Sequence, residues 1–156
     1  MTAGKRSRNV CAVSLLLCVL FVFSGCAGNG AGLDENGNPV GTDGNGLPTA
    51  FPPTFTNIQN NVFSAICIEC HSGGSAPQGL QLDASVSYDN LINIRSVEHP
   101  ELFRVSPGDP DHSYLVRKLE GGPDIAGAQM PLNRPPLSRE TINSIRLWIA
   151  MGAPRN

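Results

Sequence analysis

Cys67-Ile68-Glu69-Cys70-His71 bring two thiols and an imidazole together within five consecutive residues. Two thiols at that spacing near a helix end reach the two vinyl groups on one porphyrin edge, and the histidine that follows projects onto the iron. This is the spacing of c-type haem attachment. Three other uses of the thiols compete with it. A thioredoxin-like redox couple belongs in a βαβ setting, and a structural zinc site needs four ligands, whereas the chain has no second Cys pair at this spacing. A Cys67–Cys70 disulfide is possible in an oxidising compartment but leaves His71 without a role.

A haem iron held by His71 has a sixth position to fill. Met130 stands in Gly127-Ala128-Gln129-Met130-Pro131, a loop composition, and its thioether is a neutral, polarisable ligand that favours ferrous iron. Pro131 removes a backbone donor and stiffens that loop. His99 and His112 are the other candidate sixth ligands, and Met151 is expected to pack beside Trp148. Pro77 is expected to offer a backbone carbonyl to the second nitrogen of His71. Arg104, Lys118 and Arg134 are candidate partners for haem propionates, and the sequence does not choose among them.

The elements that must position these residues are helical. Ile58, Val62, Phe63 and Ile66 recur at helical spacing and lead into Cys67, with Thr56 or Asn57 as the expected cap. Asp83 is expected to cap a short helix through Tyr88, Leu91 and Ile92. Pro107-Gly108-Asp109-Pro110 reads as a turn, with Asp111 as the cap of a helix through Tyr114, Leu115 and Leu119 that ends at Gly121-Gly122-Pro123. Ser138 opens the clearest helix, with Ile142, Ile145, Trp148 and Ile149 on one face and Gly152 at its end. No useful β-alternation and no internal repeat occurs. The fold class is therefore all-α: a small domain, residues 52–156, of three to five short helices joined by long loops. Loops of that length in so small a domain call for something to fill the middle, and a single covalent haem c is the expected occupant.

The 156-residue chain allows one ordinary domain and a tail. Its net charge of −2 leaves no basic surface, so nucleic acid is not an expected partner. Aromatics make up only 6%, which argues against a large self-sufficient aromatic core. Lys5, Arg6 and Arg8 precede an apolar run from Val10 to Phe23 that meets small residues, the pattern of a secretory signal over residues 1–25. The run is shorter than the roughly 20 residues of a comfortable span, although an uncleaved N-terminal helix is the alternative. Residues 26–51 are dense in Gly, Asn, Asp and Pro and read as a flexible tether. Asp34 does not start a calcium loop, because Pro39 stands where the sixth-position Gly is required.

Phe23-Ser24-Gly25-Cys26 resembles the lipobox of bacterial lipoproteins. The resemblance implies cleavage before Cys26 and acylation of its thiol. Two acyl chains, at ~0.8 kcal/mol per buried methylene, hold a protein stably at a membrane. Cleavage removes three basic residues and no acid, which moves the net charge from −2 to −5. Ala27 after the cysteine implies the outer rather than the inner membrane, with the domain facing the periplasm.

Residues 55 to 154 resemble the monohaem c-type cytochrome domains abundant in planctomycetes and other bacteria. The resemblance runs through Cys67 to His71, Pro77-Gln78-Gly79-Leu80-Gln81-Leu82-Asp83, Val105-Ser106-Pro107-Gly108-Asp109-Pro110, Ser113, Leu115, Met130-Pro131, Leu137-Ser138, Trp148-Ile149 and Gly152-Ala153. It implies a cytochrome c-like fold, His/Met ligation by His71 and Met130, and one-electron transfer with redox partner proteins rather than catalysis. A small haem peroxidase or haem-based sensor, with the sixth position open, is the alternative. No acid/base constellation for peroxidase chemistry is evident. A third possibility is an interaction module attached to larger redox partners.

Overall fold

The computed structural model describes Met1 and residues 49–156. The expected secretory signal at 1–25 (Met1 apart), the expected acylation site Cys26 and nearly all of the expected tether at 26–51 lie outside the described residues. Residues 49–156 belong to one compact unit. Four α-helices order it: α1, Phe55–Ile58; α2, Ser87–Leu91; α3, Tyr114–Glu120; and α4, Arg139–Ala150. Among the described residues β-structure is limited to isolated bridges, so the all-α expectation holds at the level of class. No helix among them is long and apolar enough to cross a membrane.

Helix α4 follows its sequence pattern closely. Ser138 takes an extended backbone and its hydroxyl accepts from the Thr141 N–H at 3.2 Å, which satisfies one of the donors a helix start leaves open. Ile142, Ile145, Trp148 and Ile149 are all buried. At the other end Gly152, at φ +92°, lets its own N–H reach the Ile149 carbonyl and the Ala153 N–H reach that of Trp148. That pair of bonds closes the helix in a Schellman motif.

Trp148 is fully buried in a small group of aromatics centred on Phe55. Its ring lies 5.6 Å from that of Phe55, which also meets Phe63 at 6.4 Å and Tyr88 at 5.0 Å. These four aromatics form one small cluster that joins α1, α2 and α4. The indole N–H donates to the Pro154 carbonyl at 2.9 Å, so the one polar atom of the side chain is satisfied.

Helix α1 is capped by Thr54, not by Thr56 or Asn57: its hydroxyl accepts from the Asn57 N–H at 3.2 Å. The chain then widens into a π-type turn over Gln59–Phe63, closed by Ser64 N–H on the Gln59 carbonyl at 2.7 Å. Gln59 is thereby carried into the interior, where its amide donates to the Ser64 hydroxyl and the Leu82 carbonyl while its oxygen accepts from Ser87. A buried amide with all these partners stabilises a specific arrangement rather than costing desolvation. It fixes the segment before Cys67 against both α2 and the loop after His71.

Two other expected caps have different roles. The Asp111 carboxylate pairs with Arg146 of α4, and α3 begins at Ser113 without a side-chain cap. Ser113 instead accepts from the Ser106 N–H and donates to the Asp109 carbonyl, which holds the Pro107–Pro110 turn. Helix α2 starts after Val86, also without a side-chain cap, and the Asp83 carboxylate turns toward residues 72 and 73. The long 92–113 connection is held by three isolated bridges, Ile92–Val105, Arg95–Phe103 and Phe103–Ser113.

Replacing Trp148 with Ala should lower unfolding stability by about 3–5 kcal/mol, as for other fully buried large side chains. Trp148→Phe, which keeps a ring but strands the Pro154 carbonyl, should cost about 1–3 kcal/mol. Chemical denaturation measures both; a loss under about 1 kcal/mol for Trp148→Ala would show that the aromatic cluster does not hold the fold.

Candidate functional site

The residues from Cys67 to Glu69 form a single 3-10 turn, and the N–H groups of Cys70 and His71 both bond the Cys67 carbonyl, at 3.2 and 2.9 Å. The five residues are thus wound over themselves. Cys67 is half-buried and Cys70 exposed, and both are free thiols. Burial pushes the Cys67 thiol up to about 11.

His71 is oriented by one hydrogen bond. Its Nδ1 lies 3.1 Å from the Leu80 carbonyl, and because a carbonyl only accepts, Nδ1 carries the proton. The Nε2 lone pair is then left available, with no partner among the described residues. The orienting carbonyl belongs to Leu80 rather than to Pro77, because Pro77–Gly79 forms a turn with Gln78 and Gly79 both left-handed, at φ +56° and +64°. That turn returns the chain to the histidine three residues later than the sequence reading expects.

The loop is closed from behind. Leu82 N–H donates to the His71 carbonyl at 2.8 Å, and Leu82 in turn accepts from Gln59. The Asp83 carboxylate accepts from the Ser72 hydroxyl at 2.5 Å and the Gly73 N–H at 2.9 Å. These two bonds, Ser72 first, hold the Asp83 carboxyl below its ordinary range.

Cys67, Cys70, His71 and Met130 all line one cavity of about 290 Å³. Its walls are mainly apolar: Leu82, Leu91 and Leu119 come from the core, and Ile66, Leu80 and Leu115 are also among its apolar lining. Neither His99 nor His112 lines it. His99 Nδ1 pairs with Glu101 at 2.5 Å, and His112 Nδ1 with Asp109 at 2.8 Å. Met151 also stands apart and is 52% exposed, so it does not pack beside Trp148 as expected.

Met130 is placed by the end of α3. A helix leaves its last carbonyls without partners. The Met130 N–H takes that of Lys118 at 2.8 Å, and the Gln129 side chain takes that of Leu119 at 2.7 Å. Gly121, at φ +70°, makes room for this: a Cβ there would lie 2.7 Å from the Gln129 amide oxygen. The Met130–Pro131 peptide bond is cis. Capping a short helix thus brings a thioether to the same cavity as an imidazole 59 residues earlier.

All three candidate propionate partners line the cavity. Arg134 pairs with Glu69 at its rim, and buried Lys118 pairs with Glu98 at 3.2 Å while donating to the Ala126 carbonyl. Tyr114 joins that group, donating to Glu98 at 2.8 Å and accepting from the Ala126 N–H at 3.0 Å. Burial lifts its phenol above the ordinary value, the Ala126 N–H opposes this and Glu98 adds to it. The pairing of Glu98 with Tyr114 and Lys118, and the Gln59 amide, are features that sequence reasoning missed. Gln59 left a legible signal, a polar residue within the apolar stripe of its helix; Glu98 left none.

The donor set suits an iron porphyrin: two thiols, an imidazole whose Nδ1 bonds the Leu80 carbonyl, a thioether and a mainly apolar lining. Among the described residues no three His, Cys, Asp or Glu side chains gather as a site for a bare metal ion.

The Asp83 carboxyl, being depressed, contributes stability that is complete above its ordinary value of 3.8 and fades as pH falls through the lowered value. Asp83→Asn should therefore weaken the folded state at neutral pH and flatten the acid limb of its pH–stability curve. Thermal melts across the acid range check this; an unchanged acid limb would mean that Asp83 does not brace the loop. No family model, no curated protein and no solved structure matches this chain.

Proposed function

We propose that this chain is a one-electron carrier with a single covalent haem c in a cytochrome c-like domain. Its thioethers would form at Cys67 and Cys70, its axial ligands would be His71 and Met130, and an acylated Cys26 would tether it to a bacterial membrane facing the periplasm. The observation that carries this reading is the convergence of Cys67, Cys70, His71 and Met130 on one apolar cavity, with His71 Nε2 left free by the bond from Nδ1 to Leu80.

When bound, a haem supplies a ferric–ferrous couple. The chain's own residues do the rest. His71 presents a neutral imidazole whose tautomer is set in advance by Leu80. Met130 brings a neutral sulfur, so no ionic ligand opposes the lower charge of the reduced state. The leucine walls exclude water, which keeps solvent from competing for the sixth position and favours the less charged form. The Gly-rich tether and its acyl anchor would keep the domain near its redox partners while leaving it free to reach them. Coordination by both ligands also favours electron transfer over peroxidase or sensor chemistry, which needs an open position.

The test uses the full chain matured in a host that attaches haem to proteins. Cys67→Ala and Cys70→Ala should each weaken haem staining after denaturing electrophoresis, and the double variant should abolish it. Met130→Ala should retain the stain but lose the far-red absorption band of Met-ligated ferric haem. Staining that survives the double cysteine variant would contradict covalent attachment at these residues. A far-red band unchanged in Met130→Ala would contradict its role as sixth ligand.

A further inference from the structure

Charges buried in a protein are normally paired, because an ion in an apolar site costs more than its hydrogen bonds return. Arg104 departs from that rule. It is 8% exposed, lines the cavity, and has no carboxylate partner among the described residues, although the cavity's other two cations, Lys118 and Arg134, each have one. Its guanidinium meets only backbone carbonyls: Nη2 donates to Gln78 at 2.7 Å, and Nη1 to Asn90 at 2.9 Å and more weakly to Gly79 at 3.4 Å. A guanidinium has five N–H groups, so two are left for another acceptor. Burial alone lowers its pKa, whereas the half-buried Arg146 ends above its ordinary value because Asp111 and Glu120 flank it.

We infer that Arg104 is the cavity's carboxylate-binding residue and pairs with a propionate of the bound haem. The inference rests on the haem reading proposed above, and selects one cation from three. Lys118 and Arg134 already have their charge balanced within the chain. An incoming carboxylate would give Arg104 the counter-charge it lacks, in surroundings where the interaction is poorly screened. The same side chain also holds the left-handed turn at Gln78 and Gly79, directly before the Leu80 carbonyl that orients His71. A carboxylate on Arg104 would therefore brace the proximal loop as well as neutralise the charge.

Two measurements on the full, haem-loaded chain test this. In the diamagnetic ferrous protein, nuclear Overhauser cross-peaks should join haem propionate methylene protons to the Arg104 side chain, and no variant is needed to see them. Reduction midpoints at about pH 8, where an exposed carboxylate is ionised, should fall in Arg104→Gln, recover largely in Arg104→Lys and stay unchanged in Arg134→Gln. The cross-peaks separate a propionate partner from a residue that only clamps the loop, because a cation lining the cavity shifts the midpoint in either case. Missing cross-peaks, or an Arg104→Gln midpoint equal to the wild type's, overturn this inference alone. Failure of the wild-type chain to carry covalent haem overturns it together with the functional reading.

Discussion

The site depends on a single orientation, that of the His71 imidazole. A neutral histidine can carry its proton on either nitrogen, and an unrestrained ring in an apolar cavity would sample both tautomers and many angles. The Leu80 carbonyl removes that freedom by accepting from Nδ1. Much of the nearby hydrogen bonding keeps that carbonyl in place. Leu82 closes the loop onto the His71 backbone, Gln59 holds Leu82 from α1, Asp83 gathers Ser72 and Gly73, and Arg104 secures the turn before Leu80. The π-type widening of the first helix belongs to the same arrangement, since it is what carries the Gln59 amide inward.

A different device places the second proposed ligand. Met130 is held through its backbone, by completing the C-terminal hydrogen bonds of α3, while its side chain is left to the cavity. A sulfur ligand held this way depends on the helix end more than on its own packing. Gly121 therefore matters to the proposed iron site although its role there is to let Gln129 approach. The two ligands are thus supported by separate parts of the chain, the loop after Cys70 and the cap of α3.

Much of this was legible in the sequence, and the rest was hidden for identifiable reasons. Helix α4 was readable from Ser138 to Gly152 because its cap, its apolar stripe and its terminating glycine are all local. The Cys67–His71 pentapeptide stood out for the same reason, and the haem attachment it suggests is the proposal made above. Capping by Asp83 and Asp111 was misread because acidic residues before a helix serve equally well as partners for distant groups, here Ser72 with Gly73 and Arg146. Leu80 was missed in favour of Pro77 because the returning path depends on two left-handed residues, one of them Gln78, whose type gives no warning of it. The Glu98–Tyr114–Lys118 group joins residues from a loop and a helix, and only the folded chain brings them together.

The central claim is that an iron porphyrin is joined to Cys67 and Cys70. Intact-mass spectrometry of the full chain, purified under denaturing conditions from a host competent in haem attachment, addresses it most directly. The expected polypeptide is heavier by the mass of one haem, with the increment retained on the fragment that contains Cys67 and Cys70. A polypeptide of unmodified mass in that segment, from a host shown to mature another c-type cytochrome, would contradict it.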